Sequence, residues 1–368
     1  MSVYKHEYKY IRKGTASVLV DGQFGSTGKG LLAAFLALQS CNEVDIATTN
    51  ASANAGHWTK FIETPDKNFC CFHLPTFGVI QEDALIYINS GAIINVDLLM
   101  QEVDEIGINS SRIIIHPNAT IIDQLDIEEE MSQFSPATKI SSTRKGVGEA
   151  LARKIRRVAD IAKDNKVLKS RFKIDRIDLN DRLNRDAKVS VEVPQGHSLS
   201  INGQFYPYCT SRNCNVSQGV ADAEIHPVFV ENVAMSLRTY PIRVGSIPGE
   251  GYSGDVYPDQ KEVTFKDLEV EEEYTTVTKR VRRIFTWSQL QFEEAVSLNR
   301  PTTIFLNFCN YATPELLDDI IKRMSKSCKT ALSYHPDLLL GWGAEVEQVK
   351  PSHINLDGVK PDAYLYYD

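Results

Sequence analysis

The residues Val18-Leu19-Val20-Asp21-Gly22-Gln23-Phe24-Gly25-Ser26-Thr27-Gly28-Lys29-Gly30 join an apolar run to a glycine-rich turn that carries one lysine. Residues 16–20 are short and largely β-branched or apolar, as a buried strand should be, and 31–38 continue as a strong helix former. Strand, tight turn and helix place backbone amides at a new helix N-terminus, where an anion is favoured, and Lys29 adds a mobile positive charge. The spacing excludes an ordinary Walker A loop: one residue too many separates Gly22 from Gly28, and Gly30 stands where that loop keeps a magnesium-binding hydroxyl. The turn therefore reads as a phosphate cradle with Ser26 as its most reactive position.

A second constellation, Asn54-Ala55-Gly56-His57, follows the next apolar run. His57 can move protons near neutrality, and the Gly56 carbonyl is free to face a cation or a phosphate. The plain alternative is a turn residue beside a glycine.

The elements that must position these groups alternate along the chain. Strands are expected at 44–48, 112–116, 188–193 and 302–307, and helices at 96–106, 288–299 and 313–327, the last opened by Pro314. That order predicts an α/β fold, a mainly parallel central sheet covered by helices. Residues 245–273, rich in Gly, Pro and acids, read as a surface excursion. The charged stretch 163–185 reads as a solvated helical face.

With 368 residues the chain can bury a large core. Its net charge of -8 argues against a general nucleic-acid binder, while local basic clusters remain suited to phosphorylated small molecules. No apolar run is long enough for a membrane span and the N-terminus is charged, so neither membrane nor secretory signal is expected. Seven scattered cysteines form no metal or disulfide framework and suit a reducing cytoplasm, with Cys209 and Cys214 as packing residues.

Gln23-Phe24-Gly25-Ser26-Thr27-Gly28-Lys29-Gly30 followed by Asn54-Ala55-Gly56-His57 resembles the adenylosuccinate synthetases, whose signature is Gln-Trp-Gly-Asp-Glu-Gly-Lys-Gly and then Asn-Ala-Gly-His-Thr. Further segments keep the family's order. Ser142-Thr143-Arg144-Lys145-Gly146-Val147-Gly148 is similar to its Thr-Thr-Gly-Arg-Gly-Ile-Gly loop, and Pro194-Gln195-Gly196 to its Ala-Gln-Gly. Tyr206-Pro207-Tyr208-Cys209-Thr210-Ser211 is similar to Tyr-Pro-Tyr-Val-Thr-Ser, and Arg243-Val244-Gly245 and Thr278-Lys279-Arg280-Val281-Arg282-Arg283 to the ribose and aspartate-loop segments. The resemblance covers residues 16–345 and implies one adenylosuccinate-synthetase-like, P-loop-related domain over residues 1–368.

It also implies chemistry: a nucleoside triphosphate phosphorylates the purine 6-oxygen, and the aspartate amine then displaces the phosphate. On that resemblance Lys29 stabilises the transferring phosphoryl group and His57 acts as general acid. Gln195 holds the purine 6-position, while Asn54, Thr143, Thr210 and Val244 contact the nucleotide. Arg157, or the adjacent Arg156, reaches it from the partner of a homodimer. Thr278, Arg280 and Arg282 would grip aspartate, a task suited to planar guanidinium forks. Gly25, Thr27, Gly28, Gly30, Thr59, Asn307, Phe308, Asn310, Gly341 and Gly343 would meet the phosphoryl donor. Mg2+ would sit by Gly56 and Ser26.

Three departures sharpen this. Ser26 replaces an aspartate that takes the N1 proton and binds magnesium; a serine hydroxyl titrates far above neutrality and is uncharged. Being smaller, it leaves room for a 2-amino group, which points to a guanine-type substrate and resembles the bacteriophage branch of the family, acting on dGMP with L-aspartate. Asn310, at the end of Leu306-Asn307-Phe308-Cys309-Asn310, replaces the acid that reads guanine in the donor, so ATP or dATP becomes the expected donor; the alternative is a turn asparagine. Asp21 stands where the family has glycine and could act as base or metal ligand, or could cap the turn. The rival readings are an IMP- and GTP-using adenylosuccinate synthetase and a non-catalytic nucleotide-binding regulator. If phage-encoded, the protein would work in the host cytoplasm.

Overall fold

The computed structural model describes residues 10–247, 249, 251–275 and 279–352. Its centre is a 10-stranded sheet. In chain order the strands are β1 (Ala16–Asp21), β2 (Ile46–Thr49), β3 (Leu85–Ile88), β4 (Ile113–Ile115), β5 (Lys173–Ile174), β6 (Val189–Glu192), β7 (Val230–Arg238), β8 (Thr303–Asn307), β9 (Asp337–Gly341) and β10 (Val349–Pro351). Across the sheet they lie in the order β10-β9-β8-β7-β1-β6-β2-β3-β4-β5. All neighbouring pairs run parallel except β9 and β10, which are antiparallel.

The reason is visible in β1, whose six residues are all buried. A strand covered on both faces needs a continuous apolar run rather than alternation, and residues 16–20 supply one. Beside it α1 (Lys29–Ala37) is buried along its whole length, so it packs against the sheet as core. Further helices cover the sheet and its margins: α2 (Val96–Ile106), α3 (Gln124–Met131), α4 (Val147–Ile155), α5 (Gln289–Asn299) and α6 (Pro314–Ala331). Asn95, Ser288 and Thr313 cap α2, α5 and α6 with side-chain oxygens. The expected α/β architecture is thus the observed one, with most boundaries displaced by a residue or two.

Two local expectations change. The charged stretch 163–185 is not one helical face: Lys173–Ile174 forms the edge strand β5 beside Ile114 and Ile115. Edge strands are kept short and charged because their free backbone groups invite unwanted pairing. Residues 245–273 are more than a surface excursion. Glu262–Val263 pairs with Arg283–Phe285, which also pairs with Ile242–Arg243, in a small antiparallel sheet. Tyr257, from the same segment, is buried with its ring centroid 5.0 Å from Phe205 and 6.1 Å from Phe24. This small sheet carries the Arg280 and Arg282 loop toward the strand ends.

Candidate functional site

The site groups gather where the parallel strands end at their carboxyl termini, the place where open α/β sheets bind ligands. Asp21 ends β1, Glu192 ends β6, Arg238 ends β7, Asn307 ends β8 and Gly341 ends β9.

Asp21 is almost wholly buried. Its Oδ1 accepts the Gln23 and Gly25 amides at 2.8 and 3.2 Å, and its Oδ2 accepts the Thr27 hydroxyl at 2.5 Å. Lys29 Nζ lies 3.6 Å from Oδ2 and donates to the Gln195 carbonyl at 2.5 Å. The geometry supports the turn-cap reading of Asp21 over base or metal ligand, since both of its oxygens already have partners. Gly25 and Gly28 adopt φ 94 and 92, a conformation costly to residues with a side chain. The first-turn amides of α1 have no intrahelical acceptor and remain available to an anion. Thr27 points its side chain inward, with its hydroxyl 2.6 Å from Ser236 Oγ, so only its backbone can serve a ligand.

His57 starts the short strand His57–Thr59 and is held close to α1 through Gly30, where a Cβ would come within 2.9 Å of the Trp58 carbonyl and 3.2 Å of His57 Cβ. Burial, and then the charge of Lys29, push the His57 imidazole down to about 3, so the ring is neutral at physiological pH. Thr59 is buried and its hydroxyl has no hydrogen-bond partner. Asn54 is half-buried, and its Oδ1 is likewise unpartnered. Gly56 lies half-buried in the turn between them.

Gln195, at φ 65, receives Lys29 on its carbonyl, and its Oε1 lies 3.5 Å from the buried Cys214 thiol. Gly196 lets this loop pass against the cradle: a Cβ there would stand 2.2 Å from the Gly25 nitrogen. Thr143, Thr210 and Val244 are half-buried, and the Thr210 amide donates to the Leu199 carbonyl at 2.9 Å. Arg280 ties the small sheet to the Thr143 loop, donating to the carbonyls of Gly245, Ser141 and Ser142 at 2.9, 3.2 and 3.1 Å. Arg282 reaches Ser26 directly, Nη1 donating to Oγ at 2.6 Å. Ser26 is exposed, with φ 55. Thr278 lies outside the described residues.

On the donor side, the Asn307 amide serves the protein itself: Nδ2 donates to the Thr27 carbonyl at 3.3 Å, and Oδ1 accepts the Phe308 amide at 2.8 Å. Gly28 and Gly341 both make room for it, since a Cβ at either would sit 2.3 Å from the Asn307 amide. Gly343 makes similar room for Gln348. Phe308 is half-buried and Asn310 exposed in the turn that follows β8. Arg157 is exposed and at φ 66, with its guanidinium donating to the Ile155 carbonyl at 3.4 Å and its amide to the Lys154 carbonyl at 2.9 Å, so neither bond joins it to the cradle.

Three contributors escaped the reading of the sequence. Arg238 is fully buried, stacks 3.8 Å from the Phe308 ring centroid and is paired with Glu273. Burial pushes the Glu273 carboxyl up, but Arg238 and then Arg282 outweigh it and hold it below the ordinary range. Glu192 accepts the Phe77 amide at 2.9 Å, and burial raises it to about 7 despite that bond and the nearby Lys29. An arginine closing the apolar run of β7 was the available signal for Arg238. Glu273 had none, being one of several consecutive acids.

The sequence model of the adenylosuccinate synthetases matches residues 18–175 and 160–314, and the chain belongs to that family. The chain is 37% identical over 339 residues to the N6-succino-2-amino-2'-deoxyadenylate synthase of Salmonella phage PMBT28, covering 85% of this chain and 90% of that one. To the enzyme of the same name from Vibrio phage phiVC8 it is 33% identical over 350 residues, covering 90% and 97%. A solved structure of the cyanophage S-2L succinoaminodeoxyadenylate synthetase (PurZ), bound to dGMP and dATP as an energy donor, superposes with TM-score 0.80 at 32% identity over 92% of this chain and 95% of that one. The similarity therefore runs to the phage branch of the family.

Proposed function

We propose that this chain is a purine-nucleotide C–N ligase that joins L-aspartate to C6 of dGMP, using ATP or dATP, to give 2-amino-2'-deoxy-N6-succinoadenylate, a nucleoside diphosphate and phosphate. The observation that carries the substrate choice is Ser26. It is exposed at the mouth of the cradle and uncharged, and it is joined to Arg282, so it presents a compact hydroxyl where the family's aspartate would crowd a 2-amino group.

In the first step the purine gives up its N1 proton to solvent as its 6-oxygen attacks the γ-phosphorus and the diphosphate leaves; in the second the aspartate amine attacks C6, phosphate leaves and the amine nitrogen releases a proton. Lys29 and the free amides of α1 offset charge on the phosphoryl oxygens. Gln195, fixed at its carbonyl by Lys29, orients the purine 6-position. His57 is neutral before substrates bind. The negative phosphoryl group brought beside it raises its proton affinity and prepares it to act as general acid on the phosphate that leaves. Arg282 grips a carboxylate of the incoming aspartate, while Arg280 holds the loop on which it rides.

The donor set fits Mg2+ only with help from substrate. The Gly56 carbonyl and the unpartnered Asn54 Oδ1 are neutral hard oxygens, whereas the Ser26 hydroxyl would have to give up Arg282 and Asp21 is already engaged. Phosphate oxygens would complete the shell, and the ion would neutralise charge on the transferring group.

A homodimer is part of the proposal. Leu125, Met131, Phe134, Ile155 and Val158 are exposed apolar residues on or just beyond α3 and α4 and support an interface there, from which Arg157, which follows α4, would enter a partner's site. One domain over residues 1–368, acting in the host cytoplasm, completes the reading; among the described residues no helix is long and apolar enough to cross a membrane. Purified protein with aspartate and magnesium is to be given dGMP plus ATP, or IMP plus GTP, with phosphate release as readout. Release with dGMP is expected. Release with IMP alone would return the chain to the ordinary synthetases, and release with neither would favour a regulator.

A further inference from the structure

Glu273 stands 35 residues from Arg238 in sequence yet closes a fork onto it: Oε2 accepts Nη1 at 3.0 Å, and Oε1 accepts Nη2. The same Oε2 lies 3.8 Å from Arg282 Nε. Each arginine then reaches onward. Arg238 lays its guanidinium 3.8 Å from the Phe308 ring centroid and its Nη1 3.4 Å from the Ser26 carbonyl. Arg282 donates to Ser26 Oγ at 2.6 Å and to the Tyr274 carbonyl at 3.2 Å. One carboxylate is therefore shared by two guanidinium groups, one at the proposed aspartate clamp and one against the aromatic ring of the donor side.

We propose that Glu273 is a positioning residue that locks the amino-acid clamp and the donor-base platform into a single unit. This rests on the reading that Arg282 grips aspartate and Phe308 lines the donor site. Two guanidinium groups this close repel each other, and Arg238 has no exposure through which water could screen it. The planar fork fixes the Arg238 plane, and with it the ring stacked on that plane. The carboxylate also draws Arg282 inward so that its Nη1 rests on Ser26. Without Glu273 the two cations separate, Arg282 leaves its place beside the purine site, and Phe308 loses its backing.

The prediction is a paired loss. In full-length Glu273→Gln, KM for L-aspartate and KM for ATP should each rise about tenfold or more, with kcat and KM for dGMP changed no more than about threefold. Glu273→Asp keeps the charge on a shorter stem and should fall between. A purely structural role would lower the folded fraction and leave both KM values where they were. A folded Glu273→Gln enzyme with both values unchanged, or with only one raised, overturns the proposal. Should that variant not fold, Arg238→Gln/Glu273→Gln removes both buried charges; its aspartate KM must exceed that of Arg238→Gln alone, and equality overturns the proposal. Arg282→Lys separates the two levels. A raised aspartate KM there with unchanged values in Glu273→Gln defeats the positioning role alone. An unchanged aspartate KM in both defeats the clamp reading and the proposal with it.

Discussion

Replacing Asp21 by Asn distinguishes a loop organiser from a proton acceptor. The buried carboxylate holds two amides and one hydroxyl and faces Lys29 at 3.6 Å. At an effective dielectric of about 20, a pair at that distance attracts by roughly 4–5 kcal/mol. Asparagine keeps an acceptor for the Gln23 and Gly25 amides, but at neutral strength, and it turns an amide NH2 toward the lysine. Lys29 retains the Gln195 carbonyl, which returns part of the loss. The expected destabilisation is about 3 kcal/mol, in line with breaking one side of a buried ion pair. Donor phosphates supply a new counter-charge to Lys29, so saturating ATP should restore turnover to within about threefold while KM for ATP rises. A general base lost from the chemical step would instead lower kcat by about 10²–10⁴-fold. Urea unfolding and steady-state phosphate release decide between them. A kcat fall of that size with stability and KM unchanged would refute the organiser role.

Three further outcomes are expected. The His57 ring should show no titration between pH 5 and 8 in the unliganded enzyme when followed by NMR, because its pKa lies at about 3. Since that value is depressed, its contribution to stability is present above the unfolded imidazole range near 6.5 and is lost as pH falls toward 3; His57→Asn should remove this acid sensitivity and lower kcat by about 10²–10⁴-fold. Glu192 is raised to about 7, so its contribution is greatest below the unfolded carboxylate range and is lost as pH rises from about 4.5 to 7; denaturant midpoints at pH 5 and 8 should lie closer together in Glu192→Gln. Gly30→Ala would put a Cβ 2.9 Å from the Trp58 carbonyl and 3.2 Å from His57 Cβ. It should cost about 1–3 kcal/mol and reduce kcat more than KM by displacing His57, measured by melting and phosphate release.

The strand, cradle and first helix were legible because their signals are local: a buried apolar run, glycines where φ turns positive, and a helix former directly after. The edge strand Lys173–Ile174 was not, because two residues carry no periodicity and charge at an edge looks like any solvated surface. The same limit applies to Asp21. Adjacent sequence allowed it to be a base, a metal ligand or a cap, and it is the placement of the Gln23 and Gly25 amides, the Thr27 hydroxyl and Lys29 around both oxygens that favours the cap. Asn307 follows suit, since the bond from its amide to the Thr27 carbonyl spans 280 positions. Ser26 shows where the two kinds of information meet. Its type, an uncharged hydroxyl, was readable and narrows the purine. Its environment was not: Arg238 ends β7 while Arg282 lies across one loop from Glu273, its amide bonded to the Glu273 carbonyl, and the two arginines give a neutral side chain a cationic surround that no motif around it encodes. Losing the family's negative charge at this position therefore leaves Glu273 as the carboxylate that both of these arginines share, which is why a residue with no signal of its own carries the strongest prediction about how the substrate sites are joined.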